Sequence, residues 1–175
     1  NKNLENFIKS GYDHIHLSPN ADLMQKLNKQ GLIDKGSPYF GWLTAIFSTV
    51  ITNAINLEIP LIFYGEDGEI EYGGSTKTKN DPLIDINYMK KVYLEGGYDK
   101  ILENVKINRP SDSYFWNFPS KEKLNGKELF ATHWSYFEAW DSYRNYLVAK
   151  EHCGLIEQEE GNSGTFTNFA QNDQA

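Results

Sequence analysis

An α/β layer architecture with a parallel sheet is the fold class that this sequence predicts, and three observations predict it. The strand-like run PLIFY at 60–64 follows directly on a long helix with a wide apolar face. A second alternating stretch, YDHIHLS at 12–18, lies between two helical segments. Helix, strand, helix, helix, strand is the order expected when helices cover a sheet of parallel strands. From residue 76 onward the pattern turns mainly helical and rich in aromatic side chains. The whole is read as a single domain, 1–75 its α/β portion and 76–175 its helical portion.

Each element has its own justification. Leu4, Phe7 and Ile8 recur at helical spacing and predict a short helix from Asn3 to Ser10. In YDHIHLS, Tyr12, His14 and His16 alternate with Asp13, Ile15 and Leu17, a strand period. Leu23, Met24, Leu27, Leu32 and Ile33 predict a second helix, interrupted near Gly31. Ser37 as cap and Pro38 at the first helical position open the next, which runs to about Asn56. Trp42, Leu43, Ile46, Phe47, Val50, Ile51, Ala54 and Ile55 form its apolar face, suited to packing on a sheet. Leu61–Tyr64 is a buried-type strand. Asp81 and Pro82 open a helical region through Tyr93, and a short helix covers Tyr98–Val105. INRPSDSYFWNFPS reads as irregular. Glu138–His152 reads as a helix, with Tyr136, Trp140, Tyr143 and Leu147 on one stripe and Gly154 as its C-terminal cap.

Composition narrows the class. The chain has 175 residues, 39% hydrophobic and 14% aromatic, enough for a real core and contrary to disorder. The net charge is −7 and only two arginines occur, Arg109 and Arg144, a poor balance for a partner with a phosphate backbone, so no nucleic acid is expected. One cysteine, Cys153, excludes an internal disulfide framework and suits a reducing compartment. No apolar run reaches the ~18 residues of a membrane span, and no signal peptide is visible. A cytoplasmic protein is expected. The chain opens NKNLENF without an initiator methionine and closes TFTNFAQNDQA, so it is expected to be a piece of a longer protein.

The chemistry-bearing stretch is IPLIFYGEDGEIEYGG at 59–74, where an apolar run ends at Gly65 and Glu66, Asp67, Glu69 and Glu71 follow. Asp67-Gly68 between IFYGE and EIEYG is a two-residue hairpin signal, on which reading the acids are simply solvated. The second reading rests on position, because ligands of open α/β sheets bind beyond the carboxyl ends of strands. Gly65 would let backbone approach a nucleotide, and carboxylates beyond it could hold Mg²⁺ or accept a proton. Pattern alone leaves the two balanced.

Gly65-Glu66, Glu69 and Tyr72-Gly73-Gly74 resemble the S-G-E-G-x-D-E-x-F-G-G segment of asparagine synthetases, members of the N-type ATP pyrophosphatase group. Tyr64 stands for the serine, Asp67 for a glycine, Glu69 for the aspartate and Ile70 for the glutamate. Six blocks in order are similar to the N-acetyl sugar amidotransferase family of surface-polysaccharide and nonulosonic (pseudaminic) acid pathways. They are LSPN, LIDKGSPYFGW, IPLIFYGEDGEIEYGGSTKTKNDP, MKKVYLEGGYDK, THWSYFEAWDSYRNYLVAKEHCGL and GTFTNFAQND. This resemblance runs from about Asn3 to the last residue and favours the ligand-binding reading of the acidic stretch.

The resemblance implies a partial Rossmann-like sheet of the adenine nucleotide alpha hydrolase type. It also implies an ATP- and Mg²⁺-dependent ligase that converts a sugar N-acetyl group to an acetamidino group. ATP would activate the amide oxygen as an adenylate, and ammonia would displace AMP. The implied partners are a nucleotide-linked N-acetyl sugar, a glutaminase subunit supplying ammonia and a synthase-like channel subunit. By matching positions, Gly65 approaches AMP, Glu66 serves Mg²⁺–pyrophosphate or ammonia, and Glu69 is the second acid, with Asp67 beside them. Lys77 and Lys79 could reach phosphates or be ordinary surface lysines, and Ser18 could line the same crevice or belong to a structural turn. The family's phosphate loop, S-G-G-x-D-S, does not occur in this sequence. Its place in the family is upstream, so the chain is expected to be inactive alone.

Other residues carry weaker signals. Trp116, His133 and Trp134 are candidates for substrate contact: aromatic faces suit the C–H faces of sugars, and a histidine can move a proton. Trp140 and Tyr143 read as core because of their spacing. His14 and His16 share a strand face but lack a third ligand, so no metal site is expected there. Cys153, late in a helix beside His152, has no nucleophile elbow around it. Asp173 closes the last block. Two competing functions stand beside the ligase: a carboxylate-pair glycosidase using Glu66 with Asp141, and a non-catalytic sugar-binding domain.

Overall fold

The computed structural model describes residues 2–65, 81–83, 91, 94, 99–107, 110–159 and 168. In chain order they form α1 (Lys2–Lys9), α2 (Ala21–Lys35), α3 (Phe40–Asn56), β1 (Leu61–Tyr64), α4 (Asp99–Val105), α5 (Pro110–Ser113), α6 (Lys121–Leu124), β2 (Phe130–His133), a 3₁₀ turn (Trp134–Tyr136) and α7 (Ser142–Cys153). The described part is mixed and mostly helical, with a small parallel sheet of two strands. It divides into two compact units, Ser18–Ala139 and the paired segments Asn1–Leu17 and Trp140–Ala175.

The larger unit is organised by α3. Phe47 and Ile51 on its inner face are almost completely enclosed, each worth roughly 1.5–3 kcal/mol of burial. The hydroxyls that interrupt its apolar run do not oppose this. Thr44 and Thr49 donate back to the carbonyls of Phe40 and Ala45, at 2.7 and 2.5 Å, so they enter the core already hydrogen-bonded. On one side α3 crosses α2 at two glycines. A Cβ on Gly31 would sit 2.2 Å from the Phe40 Cβ, and one on Gly41 would sit 2.7 Å from the Leu27 Cβ. Gly31 therefore does not interrupt α2, which runs through it.

The start of α3 differs from expectation for a local reason. Gly36 adopts φ 71° and closes α2, and the Ser37 N–H returns to the Gly31 carbonyl at 3.3 Å. Ser37 is thus taken by the end of α2. The helix begins at Phe40, with Tyr39 before it making no side-chain cap.

On its other side α3 packs against β1, where burial alternates: Ile62 and Tyr64 face the helix, Leu61 and Phe63 do not. The partner strand β2 was not foreseen. It runs parallel to β1 in the register Leu61–Phe130, Ile62–Ala131, Phe63–Thr132 and Tyr64–His133. The stretch 12–17, expected as a strand, forms no strand and is exposed.

The smaller unit joins α1 to α7 and the chain beyond it. Asp141 caps α7 by accepting from the Tyr143 and Arg144 N–H groups at 3.0 Å, and Gly154 closes it at φ 65° as expected. The Asn3 side chain donates to the Ile156 carbonyl at 2.9 Å and accepts from its N–H at 2.8 Å. Asn6 donates to the Gly154 carbonyl at 2.7 Å. Glu157 returns to α7, accepting from Lys150 Nζ at 2.5 Å and from the Tyr146 hydroxyl. Tyr146 is the buried residue of α7, whereas Trp140, Tyr143 and Leu147 are exposed. The expected aromatic stripe fails because α7 starts only at Ser142, which leaves Tyr136 and Trp140 outside it.

Candidate functional site

The parallel register brings two separately predicted groups together. β1 ends at Tyr64 and hands over to Gly65, while β2 ends at His133 and hands over to Trp134. Because Tyr64 pairs with His133, Gly65 and Trp134 leave the sheet at the same end, the carboxyl end of both strands. This is where open parallel sheets place their ligands.

The helix-facing side of this end is aromatic and enclosed. The Tyr64 and His133 rings lie 5.4 Å apart between centroids, and Phe47 meets Tyr64 edge-on at 5.7 Å. The opposite side is open. Phe63, Trp134 and Phe137 are 51%, 47% and 58% exposed, and their ring centroids lie 6.0–6.4 Å from one another. The Trp134 indole N–H donates to Glu138 at 3.3 Å, which fixes the ring. Thr132, the register partner of Phe63, is buried, and its hydroxyl has no hydrogen-bond partner among the described residues. Such a hydroxyl costs about 1–3 kcal/mol unless something polar satisfies it.

Among the described residues, a Cβ on Gly65 would meet nothing within 4 Å. The space beside Gly65 and the half-exposed rings fit a ligand with a flat body, such as a nucleoside or a sugar. The residues proposed for Mg²⁺ and phosphate, Glu66, Asp67, Glu69, Lys77 and Lys79, lie outside the described residues, as do the Asp67-Gly68 hairpin signal and Asp173. No group of three potential metal ligands occurs among the described residues.

The remaining candidates fall elsewhere. Trp116 is fully buried and donates its indole N–H to the Gly41 carbonyl at 2.9 Å. It is a core residue and offers no face to a sugar, which corrects its assignment to substrate contact. Ser18 is exposed and sits two residues before Asn20, which caps α2 by accepting from the Leu23 N–H at 3.0 Å. Asp141 is committed to its capping role. His14 and His16 are neighbours with ring centroids 6.3 Å apart. Phe63 and Phe137 were not singled out as site residues. Phe63 sits on β1 itself, and what brings Trp134 and Phe137 to it is the pairing of β2 with β1, which no local pattern announces.

Among the described residues no helix is long and apolar enough to cross a membrane. No protein-family model matches the chain, and no characterised protein matches it.

Proposed function

We propose that this chain contributes the nucleotide- and sugar-handling end of a partial Rossmann-like, ATP-dependent amidotransferase, a carbon–nitrogen ligase that converts a sugar N-acetyl group to an acetamidino group. One observation supports it above the others. Gly65, which opens the sequence segment resembling the ATP pyrophosphatases, leaves β1 at the carboxyl end of a parallel strand pair, the same end at which His133 hands over to Trp134. Bound ATP would supply the leaving group by adenylating the amide oxygen, which ammonia then displaces.

This chain's own residues have narrower tasks. Gly65 leaves room for close approach of the nucleotide. Trp134, held by Glu138, presents a half-exposed face for a sugar ring. His133 is buried beside Tyr64 on the helix-facing side, so in this reading it positions the strand end and does not touch a ligand on the open face. Glu66 and Glu69 are the acids assigned to ammonia orientation and Mg²⁺, and Lys77 and Lys79 to phosphate. The proposed partners are a nucleotide-linked N-acetyl sugar, a glutaminase subunit and a channel subunit, in cytoplasmic surface-polysaccharide or nonulosonic acid biosynthesis.

The test is ATP-dependent amidine formation by the full-length protein, with ammonia as nitrogen donor and AMP and pyrophosphate as products. Glu66→Gln should lower the rate by about 100-fold or more without unfolding the protein. Glycan hydrolysis without ATP would replace this reading by the glycosidase one. Sugar binding that survives Glu66→Gln and Glu69→Gln, with no ATP-linked turnover, would replace it by a binding domain.

A further inference from the structure

The last turn of α3 and the segment after α5 enclose a cleft of about 240 Å³ that the proposed reaction does not use. α3 passes from Asn56 through residues 57–60 into the amino end of β1, so this cleft lies at the strand end opposite to Gly65 and His133. Thr52 and Asn56 line it from α3, Tyr114, Asn117 and Phe118 from the facing segment, and Lys123 from α6.

The facing segment is fastened to α3 from within. Ser48 Oγ donates to the Phe115 carbonyl at 2.5 Å, and Trp116 Nε1 to the Gly41 carbonyl at 2.9 Å. The cleft is therefore formed before anything enters it, as small-molecule sites usually are. Its volume is below the roughly 300–1,000 Å³ of drug-sized sites, which limits it to a metabolite-sized occupant.

Polarity narrows the occupant further. None of the lining side chains is acidic. The Lys123 ammonium has no acidic partner among the described residues, and no hydrogen bond there engages the side chains of Thr52, Asn56 or Asn117. Among the described residues, one unpaired cation, two free amides and the free Thr52 hydroxyl thus line the cleft, together with the hydroxyls of Ser113 and Ser120 and the apolar surfaces of Ile55, Tyr114, Phe118 and Pro119. A single cation matches a single negative charge, not the several of a polyphosphate.

We infer that this cleft binds a small organic monoanion with a flat apolar body, of the arylalkyl carboxylate class. The carboxylate meets Lys123 and the amides of Asn56 and Asn117, and the apolar body packs against Tyr114 and Phe118. The inference stands independently of the amidotransferase reading.

The probe is phenylacetate, with phenylacetamide as its uncharged counterpart, titrated into the ¹⁵N-labelled full chain. Saturable shifts are expected at Thr52, Asn56 and Asn117, with phenylacetate bound about 3- to 5-fold more tightly than the amide. Lys123→Met, at an exposed position, should keep the remainder of the spectrum and abolish that preference. The inference is overturned by the absence of saturable shifts at these residues, by equal binding of acid and amide, or by a preference that survives Lys123→Met.

Discussion

Trp116 and Gly41 are 75 positions apart in sequence, yet the indole N–H of the first donates to the carbonyl of the second at 2.9 Å inside the core. The contact ties the segment after α5 to the first turn of α3. Trp116→Phe should cost about 1–3 kcal/mol, part of it the lost hydrogen bond, and Trp116→Ala about 3–5 kcal/mol. Urea denaturation of the two variants checks both values. A cost below about 1 kcal/mol for the alanine variant would show that Trp116 is not a core residue.

The crossing of α2 and α3 makes an unusual demand on alanine. In an exposed helix, replacing glycine by alanine gains about 1 kcal/mol. At Gly31 the added methyl group would lie 2.2 Å from the Phe40 Cβ, so Gly31→Ala should destabilise by about 1–3 kcal/mol or more. Gly41→Ala should behave alike. Gly65→Ala, which meets nothing within 4 Å among the described residues, should leave stability within about 0.5 kcal/mol and, under the proposed function, weaken nucleotide binding. Thermal melting separates the two classes.

Trp134 provides the complementary test. Its ring is half exposed, so Trp134→Ala should change stability little. Under the proposed function it should raise KM for the sugar by about 10-fold, a loss of about 1.4 kcal/mol in binding. Unchanged KM would remove Trp134 from the site. Glu138→Ala, which frees the indole N–H, should give a smaller rise in the same direction.

Glu157 gives the smaller unit an acid limb. The Lys150 ammonium, and then the Tyr146 hydroxyl, hold its carboxyl down to about 2 from the ordinary 4.5. The folded form therefore binds fewer protons than the unfolded chain between those values. The stabilisation is complete above the ordinary carboxylate value and is lost as pH falls toward 2. Glu157→Gln should lower the melting temperature at pH 7, by an amount that shrinks steadily as pH falls from the ordinary carboxylate value toward 2. Equal effects at both pH values would show that the carboxylate charge plays no part.

What the sequence disclosed follows from how local each signal is. Leu61–Tyr64 was legible because Pro60 and Gly65 bracket an apolar run, and Gly154 because a left-handed cap suits glycine. The start of α3 was misplaced because Ser37 and Pro38 look like a helix opening, while the actual use of Ser37 depends on the preceding Gly36. β2 was hidden because a parallel partner has no adjacent turn to announce it. At the site, Gly65, His133 and Trp134 were each legible as residue types with useful chemistry. Their meeting depends on the pairing of Tyr64 with His133, which no local pattern encodes. Trp116 looked like its neighbours in SYFWNF and only its burial distinguishes it.

The bonds from Asn3 to Ile156 bear on the order of folding. They join residues 153 positions apart, whereas Ser18–Ala139 is one continuous stretch of chain. Closing a loop costs entropy that grows by about 0.6 kcal/mol with each doubling of its length. Contacts of such long range are the slow ones in a folding reaction. The helices and strands between Ser18 and Ala139 can therefore assemble first, and the two ends of the chain join last. In the native ensemble the same junction should be the first to come apart. Amide protons of α1 should exchange with solvent ahead of those of α3, under conditions where the larger unit stays folded.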